Sequence, residues 1–256
     1  MAVSLVIFLT AIPISYYAAK YGVDIDLLSR GAGFGYIGST ITSLIYASFT
    51  FIFFALESAI MASALDILFG LPLMFGYLLS AIIVIPLVTH GITLISRFQL
   101  WTQPIWLVLQ LAPFVFILWH EWSATLTWVQ FTGIERVTES APIGSGGFNL
   151  VFFGAASAVI FSLIAQIGEQ VDFLRFLPEP DKKHKLRWWT ALMGAGPGWI
   201  VVGFIKLLGG SFLAVLALSH GLNVSDASDP TQIYRVAFGY LFDSPMVVMA
   251  VTGIFV

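Results

Sequence analysis

The 256 residues contain no cysteine, which excludes disulfides, thiolate metal sites and thiol redox chemistry. Charge is almost as scarce. Only 10% of residues are Asp, Glu, Lys or Arg, against about 25% in an ordinary soluble domain. Four scattered histidines are too few and too far apart to suggest a structural zinc site. The first residues lack the basic segment of a cleaved signal peptide. No nucleophile–base pair and no metal-ligand spacing occurs, so the chain does not read as an enzyme, and no cofactor is expected.

What is present is apolar. Hydrophobic residues make up 59% of the chain and the mean hydropathy is +0.94, the composition of an all-α integral membrane protein. Seven runs are candidates to cross a bilayer, at 2–19, 37–68, 72–95, 102–119, 148–170, 189–218 and 244–256. The second, at about 1.5 Å per residue, reaches roughly 48 Å, so it must tilt or protrude.

The connecting segments carry unequal positive charge. Residues 20–36, 96–101 and 171–188 hold Lys20, Arg30, Arg97, Arg175, Lys182, Lys183, Lys185 and Arg187, while 69–71, 120–147 and 219–243 hold only Arg136 and Arg235. The first set is therefore expected on the cytoplasmic side of a multi-pass, inner-membrane protein. "PDKKHKLRWW" then reads as a cytoplasmic anchor with interfacial tryptophans, and no nucleic-acid partner is expected. On this topology Met1 enters the first run from outside and the last run stops inside apolar sequence. We therefore expect residues 1–256 to be a single transporter-like domain truncated at both ends.

"GFGYIG" (Gly33 to Gly38) matches a dinucleotide fingerprint letter for letter. It lacks the preceding strand and the βαβ unit that give that motif its chemistry, so a tight turn and close helix packing account for it better. "NVS" at Asn223 matches a glycosylation sequon that is too short to weigh. "GAGPGW" (Gly194 to Trp199) should kink its helix at Pro197.

Glu57 stands in "FIFFALESAIM" with no other charge nearby. An ionised carboxylate near mid-membrane costs roughly 2.5–3.5 kcal/mol on insertion scales, so Glu57 is expected to face a cavity or the protein interior, or to be protonated. At about 100° per residue, Ser39, Ser43, Tyr46, Thr50, Phe53, Glu57 and Met61 form one stripe. The alternatives are a structural carboxylate bonded to a neighbouring helix and a substrate or proton site. Ser162, Gln166 and Glu169 form a second polar face in "FSLIAQIGEQVDFLRF", with Gly154 and Gly168 as places where that helix could unwind. Glu169 lies toward the cytoplasmic end and suits a gate or ion pair. Lys206 would pair with Glu57 or Glu169.

"AAKYGVDIDLLSRGAGFGYIGS" and, further on, "VDFLRFLPEP" resemble two ordered motifs of the nucleobase–cation symporter-1 family, the purine–cytosine, hydantoin and allantoin permeases. The resemblance spans most of the chain. It implies part of a five-plus-five inverted-repeat (LeuT-like) fold, with the family's second to seventh helices and part of the eighth present. It implies a symporter moving a nitrogenous ring compound with Na⁺ or H⁺. Phe53 falls where the family often stacks a tryptophan on substrate, and Glu57 falls at a substrate-bonding glutamine. The second stacking aromatic falls at Ser162 or Leu163, with Phe161 adjacent. The implied substrate set is Thr50, Phe53, Glu57, Phe161, Ser162 and Gln166. Sodium ligands of the family lie on helices absent or incomplete here. Two other readings stay open. One is a permease-like sensor fused to a downstream kinase or other signalling domain, and the other is a permease for an amino acid or amine. The expected partners are a small-molecule substrate and the lipid bilayer.

Overall fold

The computed structural model describes residues 1–131, 148, 150–179 and 182–256. Every regular element among them is helical. In chain order these are α1 (Ala2–Tyr21), α2 (Ile25–Ser29), α3 (Gly35–Phe69), α4 (Leu73–Thr89), α5 (Ile92–His120), α6 (Ser123–Gln130), α7 (Leu150–Ser162), α8 (Gln166–Leu174), α9 (Lys185–Ala195), α10 (Gly198–Ser219), α11 (Pro230–Phe238) and α12 (Pro245–Phe255). Among the described residues, five stretches are long and apolar enough to cross a membrane: Ala2–Tyr21, Ile25–Phe69, Thr93–His120, Leu150–Leu174 and Gly198–Ser219. The apolar helices α4 and α12 are shorter, at 17 and 11 residues. The seven expected runs thus resolve into five long spans and two short helices. Arg136 lies outside the described residues.

Punctuation explains the boundaries. Asp24 caps α2 by accepting a hydrogen bond from the Leu27 N–H at 2.9 Å. Gly33, at φ 110°, turns the chain between α2 and α3 in a conformation that a side chain would strain. The fingerprint-like glycines therefore make a turn, as expected. Asp229 accepts from the Thr231 N–H at 2.9 Å, and Pro230 opens α11.

Three expected boundaries are corrected. The segment 96–101 is not a loop, because it lies inside α5. The turn comes earlier, at His90–Gly91, where Gly91 adopts φ 74°, so Arg97 sits in the second turn of a helix. The run 189–218 is two helices, with Gly196 and Pro197 between α9 and α10. Pro197 has no N–H to give a helix and its ring clashes with the preceding turn, so the expected kink is a full break. The glycines Gly154 and Gly168 do not unwind their helices. The path from α7 to α8 instead tightens into a 3₁₀ turn at Leu163–Ala165.

The chain divides into two compact units. One comprises Met1–Ile52 and Ile134–Leu208, and the other Phe53–Gly133 and Gly209–Val256. In the first, Val3, Ile7 and Ala11 of α1 pack with Ile167 of α8 and Ile200 of α10. A second group joins Ala19, Leu174, Trp188 and Leu192. In the other unit, Ile117 of α5 and Ala124 of α6 pack with Phe212, Leu213 and Leu216 of α10 and Ala237 of α11.

Candidate functional site

The first unit holds a cavity of about 230 Å³ beside the two interruptions just described. It is lined by Gln166, Glu169, Gln170, Phe173, Ala195 and Trp199. The 3₁₀ turn at Leu163–Ala165 delivers Gln166 to the start of α8, and helical spacing then brings Glu169, Gln170 and Phe173 onto the same side. The break at Gly196–Pro197 places Ala195 at one helix end and Trp199 just inside the next.

One wall is held rigidly. Gln170 is 4% exposed, and its amide nitrogen donates to the Ser15 hydroxyl at 2.8 Å and to the Ala11 carbonyl at 3.3 Å. Its amide oxygen accepts from the Trp199 indole N–H at 2.9 Å. Ser15, wholly buried, donates in turn to the Ala11 carbonyl at 2.8 Å. A buried amide needs this degree of satisfaction, because each unpaired donor or acceptor would cost about 1–3 kcal/mol. The exposed carboxylate of Glu169 and the half-buried amide of Gln166 remain on the open side.

A polar network continues below the cavity. The Tyr46 hydroxyl donates to Asp172 at 3.5 Å, and Arg175 lies 3.7 Å from Asp24. Arg30 pairs with Asp26 at 2.6 Å and its Nε donates to Ser39 at 3.3 Å. The Ser43 hydroxyl donates to Asp26 at 3.2 Å. These contacts tie the start of α3 to α2, and α3 and the loop before α2 to α8 and the residue after it, at the end of the unit where charge can meet water.

The sequence-derived candidates are divided between the two units. Gln166 and Glu169 meet in the cavity. Ser162 is exposed, its hydroxyl turned back to the Val159 carbonyl at 2.7 Å, and neither it nor the exposed Phe161 lines the cavity. Thr50 is exposed and donates to the Ala47 carbonyl at 2.8 Å. Lys206 is exposed on α10. Phe53 is half-buried and Glu57 exposed, and both belong to the other unit. The expectation that one inward stripe runs the length of α3 is therefore corrected. Ser39 is buried and Ser43 and Tyr46 half-buried, but Thr50 and Glu57 are open. Periodicity assigns one direction to a whole helix, whereas a 35-residue helix meets different neighbours along its length.

Gln170, Trp199 and Ser15 were not singled out from sequence. Gln170 stands one turn after Gln166, a spacing that was available as a signal. Trp199 and Ser15 carry none, since an indole or a serine in a membrane helix is ordinary.

The other unit has its own polar cluster. Tyr240 donates to the Glu121 carboxylate, and the His220 Nε2 lies 2.7 Å from the Tyr240 hydroxyl and 3.7 Å from Glu121. Burial pushes the Tyr240 hydroxyl above its ordinary range, and its hydrogen bond to Glu121 and that carboxylate's charge add to the effect.

Comparison with protein-family models, with curated proteins and with solved structures finds no significant match.

Proposed function

We propose that the protein is a secondary active transporter, a symporter that moves a nucleobase or related nitrogenous ring compound across the inner membrane with Na⁺ or H⁺ by alternating access. The observation that carries this reading is the cavity at the 3₁₀ turn and the α9–α10 break. It combines the Gln166 amide and the Glu169 carboxylate with the rings of Phe173 and Trp199, with Gln170 bonded within the wall behind them. A flat heterocycle needs aromatic faces to lie against and hydrogen-bonding groups at its edge. Glutamine both donates and accepts, and an ionised glutamate accepts from ring N–H groups. The volume of about 230 Å³ suits a ligand smaller than a drug. Interrupted helices beside a polar cavity are also where transporters place their sites.

Uptake of radiolabelled purines, cytosine, hydantoin and allantoin into cells expressing the intact protein tests this reading. Glu169→Gln should lower uptake at least about tenfold, the loss of one charge-assisted hydrogen bond. Unchanged uptake in that variant would remove the cavity from the reading. The sensor reading rests on Ser162 and Leu163, which are not aromatic where the related permeases stack a second ring. Saturable ligand binding with no uptake would favour the sensor. Binding of amines or amino acids alone would favour the third substrate class.

A further inference from the structure

A second cavity, of about 410 Å³, opens between the residues that follow α8 and the first turns of α9. Leu177, Pro178 and Glu179 form one side, and His184, Arg187 and Trp188 the other. The Trp188 indole N–H donates to the Pro178 carbonyl at 2.7 Å, closing the back of the cleft. Trp189 stacks on Tyr16 with ring centres 5.7 Å apart and planes within 8°. These two contacts hold the N-terminal half of α9 against α1 and the end of α8, so the cleft is a preformed feature.

Its chemistry is mixed in a particular way. Lys183, His184, Lys185 and Arg187 are all exposed within five residues, and Leu186 among them is 80% exposed. From 179 to 187 the sequence has four lysines and arginines against two carboxylates. The segment lies between the ends of two membrane-length stretches, Leu150–Leu174 and Gly198–Ser219. It therefore stands at the boundary between hydrocarbon and water, with tryptophans at the depth they prefer.

We propose that this cleft binds the headgroup of an anionic phospholipid. Arg187 offers a planar fork of donors that matches two phosphate oxygens, the neighbouring lysines add positive charge, and the His184 ring offers a further polar contact. Leu177 and the exposed Leu186 give the glycerol and first acyl carbons an apolar surface. A zwitterionic lipid carries the same phosphate, but its choline cation would be brought among like charges. A basic pocket at the membrane surface thereby selects net negative charge. The assignment does not depend on what the first cavity transports.

The test uses the full chain purified in detergent. Retained lipid is counted by native mass spectrometry during titration with dioleoylphosphatidylglycerol or dioleoylphosphatidylcholine. We expect phosphatidylglycerol to be retained at least about fivefold better, and Arg187→Gln to lower its affinity about fivefold, the effect of one basic residue at an anionic surface. Arg97→Gln, a basic residue that does not line the cleft, should leave retention unchanged. Equal retention of the two lipids would overturn the proposal, and so would equal losses in Arg97→Gln and Arg187→Gln. Displacement of the phospholipid by soluble glycerol phosphate at similar concentration would reassign the cleft to free phosphates. The comparisons on the unaltered protein decide the matter even if a variant fails to fold.

Discussion

The ring of Tyr46 occupies the space that a side chain at position 168 would need: a Cβ on Gly168 would lie 2.9 Å from two of its carbons. Helices α3 and α8 approach this closely because residue 168 is glycine, the usual device for bringing membrane helices together. Gly168→Ala should therefore destabilise the protein by about 1–3 kcal/mol through overpacking. Thermal or denaturant unfolding in micelles would measure it. Tyr46→Ala should remove most of that penalty in the double variant, giving a large coupling in a mutant cycle. Additive effects would mean the helices do not meet there.

The hub at Gln170 makes a second prediction. Gln170→Leu keeps roughly the volume but leaves the Ser15 hydroxyl and the Trp199 N–H without their partner. It should cost about 2–4 kcal/mol, since the buried Ser15 hydroxyl and the half-buried Trp199 N–H each lose a hydrogen bond. Ser15→Ala should cost only about 1 kcal/mol, because the Gln170 amide keeps the Ala11 carbonyl. Unfolding in mixed micelles should rank the two in that order.

Glu57 is the position that the resemblance marks most sharply. In the intact protein, Glu57→Gln should alter substrate preference or the pH dependence of uptake, and Glu57→Ala should abolish uptake. Normal transport by both variants would remove the substrate roles that the resemblance implies for Glu57 and its neighbour Phe53.

A pH prediction follows from Tyr240. Its hydroxyl titrates higher in the folded protein than in the unfolded chain, where tyrosine titrates near about 10. The stability it contributes is thus fully present below that pH and is lost as pH rises through the folded value. Unfolding measured between pH 8 and 11 should show stability falling at the alkaline end. Tyr240→Phe should flatten that fall. His220 and Glu121, which face the same hydroxyl, should leave the alkaline slope intact when His220 is replaced by Gln.

Much of this architecture was legible in the residues themselves. Apolar runs marked the helices, Pro197 marked an interruption that was expected as a kink and is a break between α9 and α10, and the glycines from Gly33 marked a turn. Gln166 and Glu169 share a face because a helix repeats every 3.6 residues, and that face does border the cavity. What could not be read depends on contacts between distant segments. No local pattern says that Gln170 meets Ser15, separated from it by 155 residues, or that α3 is open at Thr50 and Glu57 but buried at Ser39 and again at Ala62. The misplaced loop at 96–101 has a simpler cause. Arg97 looked like an interruption, but one arginine does not end a helix, whereas Gly91 at positive φ does.

The three partners of Gln170 also limit how α8 can move. Turning the helix about its own axis by a single residue, about 100°, would carry the amide away from Ser15, Ala11 and Trp199 together. Spin is therefore the costly degree of freedom. Tilting about the 3₁₀ turn at Leu163–Ala165 keeps the three bonds only if α1 and the start of α10 move with α8, because the partners sit on those helices. The wall that Gln170 forms therefore stays in one orientation toward the cavity, fastened to α1 and α10.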